Sequence, residues 1–558
     1  MSWVADFETI TNPSDCRVWA WALCDIELPD NIEYGIDIES FINKVWKLTG
    51  DIYFHNLAYD GKFIIDALMR RGWQHMKVQP WELQRGEFTT LISKSGKFYQ
   101  IVIHTQRGFV SFKDSLKLLP MSVKRVAKAF NLPDDEQKGE LDYDEFRPVG
   151  HELTNEEIGY IRNDVLIIAR ALAIEFDKGL NRLTAGSNAF HAYKSQFKES
   201  RWNKLFPVVN IDIDDFLRQA YKGGFTYVNP KYKGIDVYDG ISVDFNSMYP
   251  SMMLQYDYPI GTPIRFEGKY KADEHRPLYV QELTCYFDLK PDKVPMIQLK
   301  GNWGYGFHEY VEHVDEPVKL VLCNIDLETF YDSYEVDVLS YNGGYMFSSA
   351  RGLFDDYIAE WRAEKESTTG GRREIAKLML NSLYGKFGTN PDVTPRIPVM
   401  RDGIVDFELA QEELRDPIYL PVAIYVTAYA RKTLIEAISK NWDRFVYCDT
   451  DSMHLLGFDW PDNIPLDSKK FGHWKVEGQF TRARHLRAKQ YIWDLNGPVT
   501  VACAGMPDNV KKLCNFENFH IGFNNLDENG NIIPGCGKLI PRAVPGGVVL
   551  EPRPYTLR

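Results

Sequence analysis

The sequence predicts a multidomain protein in which α/β and α+β domains follow one another along the chain. The chain has 558 residues, which is the length of several ordinary domains. Strand-like and helical runs alternate throughout, and no internal repeat or low-complexity segment interrupts them. Hydrophobic residues make up 44% and aromatic residues 14% of the chain, so a well-packed core is expected.

The cysteine pattern argues against zinc sites and disulfides. The eight cysteines are scattered, and no two form a C-x-x-C pair. This favours a reducing compartment. The first residues are typical of a strand rather than a signal peptide, and no apolar run is long enough to span a bilayer. We therefore expect a soluble, intracellular protein.

The overall charge leaves the question of a nucleic-acid partner open. The formal net charge is −13 at pH 7, whereas nucleic-acid-binding proteins are often basic. Binding depends on the local groove, however, and basic stretches occur at 113–128, 362–386 and 482–489. Whether the protein binds nucleic acid must therefore be judged from its sequence motifs.

Several segments have clear secondary-structure patterns. Residues 51–56 are typical of a buried strand, and residues 59–70 of the helix behind it. Residues 155–176 predict a long amphipathic helix. A β-rich stretch is expected at 255–350, and residues 372–384 predict another strong helix.

Carboxylates recur in three of the N-terminal elements. Asp6 and Glu8 stand at i and i+2 of the first strand, so both side chains lie on one face. Asp60 opens the helix after the buried strand, and Tyr160 and Asp164 lie one turn apart on the long helix. Phosphodiester hydrolysis commonly uses two cations about 4 Å apart, which carboxylates from separate elements can hold. A single D-x-E motif is usually a solvated strand edge, so the prediction rests on the whole set.

A second group of acids lies in the C-terminal half. In DFNSMYPS a strand delivers Asp244, and the chain then turns into a helix whose free N–H groups are suited to a triphosphate. In YCDTDS a strand-turn-strand carries Asp449 and Asp451 at its tip. Phosphoryl transfer requires mainly positioning and charge. We expect Asp244 and Asp451 to hold two Mg²⁺ ions and Asp449 to support the site.

The segment KLMLNSLYG completes this second group. Lys377, Asn381 and Tyr384 share one helical face. A cation, an amide and an aromatic ring on one face are suited to phosphate, base and sugar.

The segments DFET, HNLAYDGKF and YIRND resemble the three exonuclease motifs of the DnaQ-like proofreading domains of family B DNA polymerases. The resemblance implies an RNase H-like 3′→5′ exonuclease domain in which four acids hold two Mg²⁺ or Mn²⁺ ions, a tyrosine places the attacking water and a lysine in QKGELDY assists. The matching positions are Asp6, Glu8, Asp60, Asp164, Tyr160 and Lys138. The positions that match contacts to a frayed single strand are Thr9, His55, Asn56, Phe63, Ser115, Leu116 and Tyr143. For Phe63 and His55, a packed core position is the commoner alternative.

DFNSMYPS, KLMLNSLYG and YCDTDS resemble motifs A, B and C of family B polymerases, in that order. The resemblance implies a second pair of Mg²⁺ or Mn²⁺ ions on Asp244 and Asp451, with Asp449 as a further catalytic residue. It also implies that Tyr249 excludes ribonucleotides. The nucleotide-binding positions are Tyr249, Lys365, Lys377, Asn381 and Tyr384. The DNA-binding positions are Tyr221, Gly223 and Gly224 of a Y-x-G-G loop and Lys489 and Tyr491 of a K-x-Y motif.

The resemblance is closest to the protein-primed polymerases of tailed bacteriophages, the phi29 type. The segments between motifs A and B and between motifs B and C are long enough to hold two insertions, and this supports the subgroup. In relatives the first insertion docks the terminal protein that primes synthesis, and the second closes a tunnel around the downstream template. The implied parts are an exonuclease domain at 1–184, palm at 185–254 and 421–503, insertion 1 at 255–352, fingers at 353–388, insertion 2 at 389–420 and thumb at 504–558.

The sequence thus predicts a monomeric, processive and strand-displacing DNA polymerase with proofreading. We expect it to act on DNA and dNTPs in the host cytoplasm, to start from a terminal protein and to copy a linear phage-type genome. One alternative is a nucleic-acid-primed family B enzyme. A non-catalytic DNA-binding scaffold would not need the clustered acids, and an exonuclease alone would leave the second group unexplained. Arg373 stands where lysine is expected, which keeps the charge but alters the geometry.

Overall fold

A computed structural model of the protein describes residues 1–10, 12–143, 145–299 and 310–558. The first region, residues 1–184, contains a mixed sheet and the helices packed on it. Its strands are β1 (Ser2–Ile10), β2 (Arg17–Asp25), β3 (Ile32–Gly35), β4 (Gly50–Phe54), β5 (Gln74–His75), β6 (Glu87–Ile92), β7 (Phe98–His104) and β8 (Phe109–Asp114). Its helices are α1 (Ile38–Val45), α2 (Leu57–Arg70), α3 (Val123–Ala129) and α4 (Asn155–Asp177).

The first sheet has the strand order β3-β2-β1-β4-β8-β7-β6-β5. Helix α4 covers one face, where Val4 packs with the apolar stripe of the helix. Helices α1 and α2 cover the other face, where Ala5 and Phe7 are buried. Because side chains alternate along a strand, Asp6 and Glu8 share the face of Val4 and point toward α4.

The predictions for this region are confirmed. The strand expected at 51–56 is β4, and the helix expected at 59–70 is α2. The long helix is α4, which begins in a capping box formed by Thr154 and Glu157. Asp164 lies buried on its apolar stripe.

The middle of the chain supplies part of a second sheet and all of a third. Its elements are α5 (Ala185–Ser195), α6 (Glu199–Leu205), α7 (Ile211–Arg218), β9 (Thr226–Val228), β10 (Asp236–Phe245), α8 (Met248–Gln255), β11 (Tyr258–Phe266), β12 (Leu278–Leu289), β13 (Val318–Cys323), α9 (Asn324–Ser333) and β14 (Tyr334–Ala350). The third sheet has the order β11-β14-β12-β13, so the expected β-rich stretch is confirmed. Residues 300–309 of the predicted first insertion lie outside the described residues.

The rest of the chain completes the second sheet and adds two hairpins. Its elements are α10 (Asp355–Ser367), α11 (Gly370–Phe387), β15 (Arg396–Arg401), β16 (Ile404–Leu409), α12 (Pro421–Ser439), β17 (Phe445–Asp449), β18 (Ser452–Leu456), β19 (Trp474–Arg487), β20 (Gln490–Trp493), β21 (Thr500–Cys503), α13 (Asp508–Lys511), β22 (Lys538–Val544) and β23 (Gly547–Arg553). Short 3₁₀ turns lie at Pro80–Glu82, Ser115–Lys117, Asp134–Glu136, Pro230–Tyr232 and Trp442–Arg444. The helix expected at 372–384 lies within α11.

The second sheet brings distant sequence segments together. Its order is β21-β20-β19-β10-β18-β17-β9. Strand β10 therefore lies between β19 and the hairpin β17–β18. This hairpin is the predicted strand-turn-strand, and Thr450 at its tip has a φ of +60°.

A buried ion pair ties the third sheet region to the second. The Arg431 guanidinium on α12 is 2.6 Å from the carboxylate of Asp326 on α9. Its Nη1 also donates to the carbonyl oxygens of Lys222 and Gly223, at 2.7 and 2.8 Å. These bonds fix the loop that precedes β9. Among the described residues, no helix is long and apolar enough to cross a membrane.

Candidate active sites

The first acid centre gathers side chains from β1 and α4. Asp6 and Glu8 project from β1, and Asp164 projects from the helix that covers them. One carboxylate oxygen from each of these three acids lies within 4.8 Å of the others. Asp60, on the first turn of α2, is also buried but lies outside this group of three.

Burial and mutual repulsion raise the pKa values of these acids. Burial, followed by the charge of Asp164, raises the pKa of Asp6 from 3.8 to about 7. Burial, followed by the charge of Asp6, raises the pKa values of Glu8 and Asp60. The pKa of Asp164 is raised by its burial, although Lys138 acts against this. The centre thus concentrates negative charge that the protein alone balances only in part.

The loop that follows the 3₁₀ turn Asp134–Glu136 brings a cation and a phenol to the acids. Lys138 Nζ contacts Asp164 Oδ2 and lies 4.9 Å from the ring centroid of Tyr160. The hydroxyl groups of Tyr143 and Tyr160 are 2.7 Å apart. Tyr143 is 57% exposed, so its ring is accessible to an incoming strand.

Arg147 anchors this loop, and sequence reasoning missed it. Its guanidinium is buried, lies 4.4 Å from the ring centroid of Trp19 and donates to Glu157 at 2.6 Å. Its Nη1 donates to the carbonyl oxygens of Asp142 and Glu145 at 2.9 and 3.1 Å. An arginine inside a polar loop gives no periodic signal that would mark it as buried.

Of the positions expected to hold a frayed strand, Thr9, His55, Asn56 and Tyr143 line the space beside the first centre, whereas Ser115 is buried. The Thr9 hydroxyl bonds to the hydroxyl of Tyr59 at 2.6 Å. His55 bonds through Nδ1 to Ser115 Oγ at 3.0 Å and through Nε2 to the carbonyl oxygen of Met121 at 2.7 Å. Both ring nitrogens of His55 therefore have partners, which is the packed arrangement named as its alternative.

Phe63 also occupies the packed position named as its alternative. Its side chain is 2% exposed and lies in the core of the first region. The backbone N–H groups of Asn56 and Leu116 both donate to Asp114 Oδ1, at 3.1 and 3.0 Å. This carboxylate joins two of the segments that were expected to contact DNA.

A cavity of about 790 Å³ lies at the first centre. One side is formed by residues of the first region, including the acids, Tyr143 and Lys138. The other side is formed by the C-terminal part of the chain, including Asn509, Ile533 and Leu550. No motif in this C-terminal part predicted that it would lie against the first centre.

The second acid centre lies where β10 meets the hairpin β17–β18. Asp244 pairs with Ser452 in the sheet register, which sets it beside the hairpin tip. Lys475, on the neighbouring strand β19, is 3.0 Å from Asp244 Oδ1. Sequence reasoning missed Lys475, because only the register of β10 and β19 makes the two residues neighbours.

Asp449 is held by a lysine as well. Lys489 Nζ lies 2.8 and 2.9 Å from its two carboxylate oxygens, and the hydroxyl of Thr226 donates to it at 3.0 Å. The backbone N–H of Lys489 donates to the hydroxyl of Tyr447 at 3.0 Å. Tyr491 packs on Tyr447, with ring centroids 5.2 Å apart. The predicted K-x-Y motif therefore contacts the hairpin β17–β18, which carries Asp449 and Asp451.

Burial and neighbouring charges act on the pKa of Asp451. Burial, followed by the charges of Asp244 and Asp449, raises it from 3.8 to about 7. Lysines pair with the other two acids, as described above.

Aromatic and cationic residues lie beside the second centre. The rings of Tyr249 and Tyr384 are stacked obliquely with centroids 4.1 Å apart. Lys365 Nζ donates to the hydroxyl of Ser247 at 3.3 Å. Burial, followed by repulsion from Arg373 and Lys377, lowers the pKa of Lys365. Lys377 and Asn381 are exposed on α11, so this face is open to a ligand.

The Y-x-G-G loop contacts the tip of the hairpin β17–β18. A Cβ atom on Gly224 would lie 2.6 Å from Thr450 Oγ1, so a side chain does not fit there. The backbone N–H of Thr450 donates to the carbonyl oxygen of Phe225 at 2.7 Å. The side chain of Tyr221 lies against Gly388 at the end of α11. The loop thereby links α11 to the hairpin tip.

The residues of both centres fit divalent cations. Carboxylate oxygens are the ligands that Mg²⁺ and Mn²⁺ prefer. Asp60 Oδ1 is buried and has no hydrogen-bond partner within the described part of the chain. An unpartnered buried carboxylate oxygen is costly, and a bound cation would satisfy it.

An acid group in an RNase H-like sheet region, together with a second acid centre beside a strand-turn-strand with tyrosines and lysines, is the arrangement expected of a template-directed polymerase. The chain belongs to the family described as DNA polymerase type B, organellar and viral, whose model matches residues 42–147 and 135–468. It is thus a DNA-directed DNA polymerase.

Relatives and a solved structure place the chain within the phi29 type. The DNA polymerase of Bacillus phage Nf is 42% identical over 99% of both chains. That of Bacillus phage phi29 is 40% identical over 99% of this chain and 98% of the relative. The phi29 DNA polymerase complexed with primer-template DNA has a TM-score of 0.94, at 39% identity and with 100% of both chains covered. The division of the fold into exonuclease, palm, fingers and thumb parts follows from this match.

Proposed function

We propose that the first centre removes mispaired 3′ ends while the second extends them. The observation that carries this proposal is the group formed by Asp6, Glu8 and Asp164, which gathers three acids within 4.8 Å. Structural acids are normally kept apart or paired with cations, because crowding raises their pKa values. A hydrolytic centre that holds two Mg²⁺ ions would account for the crowding.

In the proposed exonuclease Asp6, Glu8 and Asp164 would hold the cations, with Asp60 as a fourth acid nearby. Bound cations would supply the Lewis acidity that phosphodiester cleavage requires. Tyr160 orients the attacking water, and the hydroxyl of Tyr143 fixes the Tyr160 hydroxyl at 2.7 Å. Lys138 balances the charge of Asp164 and faces the scissile phosphate. Thr9, His55 and Asn56, which line the cavity at this centre, are the proposed contacts to the strand.

In the proposed polymerase centre Asp244 and Asp451 would hold cations, which would supply positive charge to the triphosphate. Lys365 and Lys377 add positive charge along the fingers helices, and Asn381 lies on the same face as Lys377. The paired rings of Tyr249 and Tyr384 form a wall beside the sugar, which excludes a 2′-hydroxyl. Lys489, which pairs with Asp449, is the proposed contact to the primer terminus.

We further propose protein priming, strand displacement and processive synthesis on a linear phage-type genome in a host cytoplasm. The support is similarity along the whole chain, including the predicted insertions at 255–352 and 389–420. Solved phi29 polymerases are described in complexes with primer-template DNA and incoming nucleotides and with single-stranded DNA. The proposed partners are accordingly DNA, dNTPs and a terminal protein.

Two assays test these proposals. The first measures digestion of a 5′-labelled single strand with Mg²⁺, where an intact strand would refute the exonuclease. The second measures primer extension on a single-stranded circle without accessory proteins. Products many times the circle length support strand displacement. Synthesis that stops after one lap would keep the polymerase but favour the nucleic-acid-primed alternative, which a search for a covalent protein–dNMP product then resolves.

A further inference from the structure

Lys475 is a charged residue of the second centre that none of the sequence motifs contains. It lies near the start of β19 and pairs with Asp244 of β10 in the sheet register. Its Nζ is 3.0 Å from Asp244 Oδ1, and the two side chains are 32% and 24% exposed. The lysine therefore occupies a carboxylate that is proposed to hold a cation.

The backbone before Lys475 is fixed against the turn that leads into α8. The N–H of Asn246 donates to the carbonyl oxygen of His473 at 2.9 Å, and the N–H of Gly472 donates to that of Asn246 at 3.1 Å. Gly472 has a φ of +75°, and a Cβ atom on it would lie 2.7 Å from the side chain of Gln255. The strand that carries Lys475 therefore starts at a defined place beside this turn.

The same segment contacts helix α10. The guanidinium of Arg362 lies 5.0 Å from the ring centroid of Phe471. Lys365, almost one turn further along α10, donates to the hydroxyl of Ser247 in the turn before α8 at 3.3 Å. Burial is the first cause of the lowered pKa of Lys365, and the charge of Lys475 is one of its further causes. Lys475 and Lys365 thus bring two positive charges to this turn from different elements.

A cation on Asp244 would leave Lys475 without its anionic partner. The ammonium would then lie beside a divalent cation and near Lys365, which is unfavourable unless another anion is close. In a centre that transfers a nucleotide, that anion is the triphosphate. Lysine is a compact charge on a flexible stem, so it can exchange one anionic partner for another.

We propose that Lys475 binds the Asp244 carboxylate in the free protein and binds the triphosphate of the incoming nucleotide once a divalent cation has taken its place. The proposal rests on the proposed role of Asp244 as a cation ligand, and it adds a nucleotide-binding residue from the second sheet. The lysine competes with the cation and strengthens the binding of the nucleotide. Tight binding of the cation therefore depends on the nucleotide.

The first measurement is Mn²⁺ binding, followed through the electron paramagnetic resonance signal of free Mn²⁺, with primer-template present and no nucleotide. All proteins carry Asp6→Ala and Glu8→Ala, which removes the group of three acids at the first centre. Lys475→Ala should lower the Kd for Mn²⁺ by about threefold, the size expected for a partly exposed ion pair. The control is Lys469→Ala, which removes an exposed lysine from the segment before β19 and should leave this Kd unchanged.

The second measurement is the kinetics of single-nucleotide addition at saturating Mg²⁺. Lys475→Ala should raise the KM for the dNTP by about tenfold and change kcat by less than about twofold, because one charge-assisted hydrogen bond to phosphate is lost. Lys475→Arg keeps the positive charge and should recover most of the KM. A residue that merely stabilises the fold would instead weaken the binding of Mn²⁺ and of the nucleotide together.

The outcomes separate this proposal from the one on which it rests. An unchanged KM in Lys475→Ala would overturn the role of Lys475, as would Mn²⁺ binding that is unchanged or weaker. Asp244→Asn should weaken Mn²⁺ binding in the same background. Undiminished Mn²⁺ binding by Asp244→Asn would instead refute Asp244 as a cation ligand.

Discussion

The two acid centres of this polymerase differ in how the protein balances their charge. At the first, Asp6, Glu8 and Asp164 crowd within 4.8 Å, and burial is the main cause of their raised pKa values. At the second, lysines pair with two of the three acids at 3.0 Å or less. In the described part of the chain, the second centre does not form a comparable group of three.

The difference indicates that, in the proposed scheme, the first centre would bind cations with little rearrangement, whereas two acids of the second would first have to leave their lysines. The crowded acids need little movement to bind ions, so repulsion is relieved at once when cations arrive. The paired acids would have to exchange lysines for cations, which would leave Lys475 and Lys489 available to phosphates. This suits a centre whose substrate, a triphosphate, brings its own negative charge.

The largest expected effect separates the two centres completely. Asp451→Ala should lower the rate of synthesis by roughly a thousandfold or more. Loss of a cation ligand removes about 4 kcal/mol of charge stabilisation, and each step of about 1.4 kcal/mol corresponds to a factor of about ten in rate. Degradation of a single strand should persist, since the first centre uses other residues. Primer extension and single-strand digestion on the same preparation measure both. Normal synthesis by this variant would mean that the second centre has been misassigned.

The reciprocal change should have an effect of similar size on the other activity. Asp6→Ala combined with Glu8→Ala removes two of the three crowded acids and should abolish degradation, while synthesis stays largely intact. The control is the exposed acid Asp134, changed to Ala in the same region. Undiminished digestion by the double variant would rule out the first centre.

A smaller effect is expected from the loop that covers the first centre. Arg147→Gln leaves the carbonyl oxygens of Asp142 and Glu145 without their donor, so Lys138 and Tyr143 lose their fixed positions. We expect degradation to fall by about tenfold, as for one lost hydrogen bond to a charged group. Synthesis serves as the internal control for folding. If both activities fall together, the guanidinium stabilises the whole region rather than this loop.

The smallest effect concerns stability and pH. A carboxyl group with a raised pKa favours the folded state most when it is protonated, so this stabilisation is lost as pH rises from about 4 toward about 7, the pKa of Asp6. Without divalent cations, the Tm should therefore fall with rising pH in this window, and less so in Asp6→Asn. Mg²⁺ at pH 8 should raise the Tm by roughly 2 °C or more, since about 1 kcal/mol shifts Tm by about 2–4 °C in large domains. Parallel pH curves for both proteins would contradict the raised pKa.

Much of both centres could be predicted from local patterns. The alternation of side chains along a strand predicted that Asp6 and Glu8 lie on one strand face. The spacing of four residues predicted that Lys377 and Asn381 lie on one face of α11. The motif YCDTDS predicted the hairpin that carries Asp449 and Asp451. These predictions succeeded because each depends on residues a few positions apart, where backbone geometry alone fixes the relation.

The sequence by itself indicated the polymerase class, through the resemblance of its motifs to those of family B polymerases and through their order. Local geometry also determined which acids share a strand face or a hairpin tip. Only the tertiary structure decided that Lys475 pairs with Asp244, that Arg147 is buried beneath the loop of Lys138, and that Asp66 on α2 accepts the backbone N–H of Gly546. Each of these contacts depends on sheet register or on packing between segments up to 480 positions apart. Such contacts form because the whole chain buries its apolar surface together, and no local pattern encodes which distant backbone groups will meet.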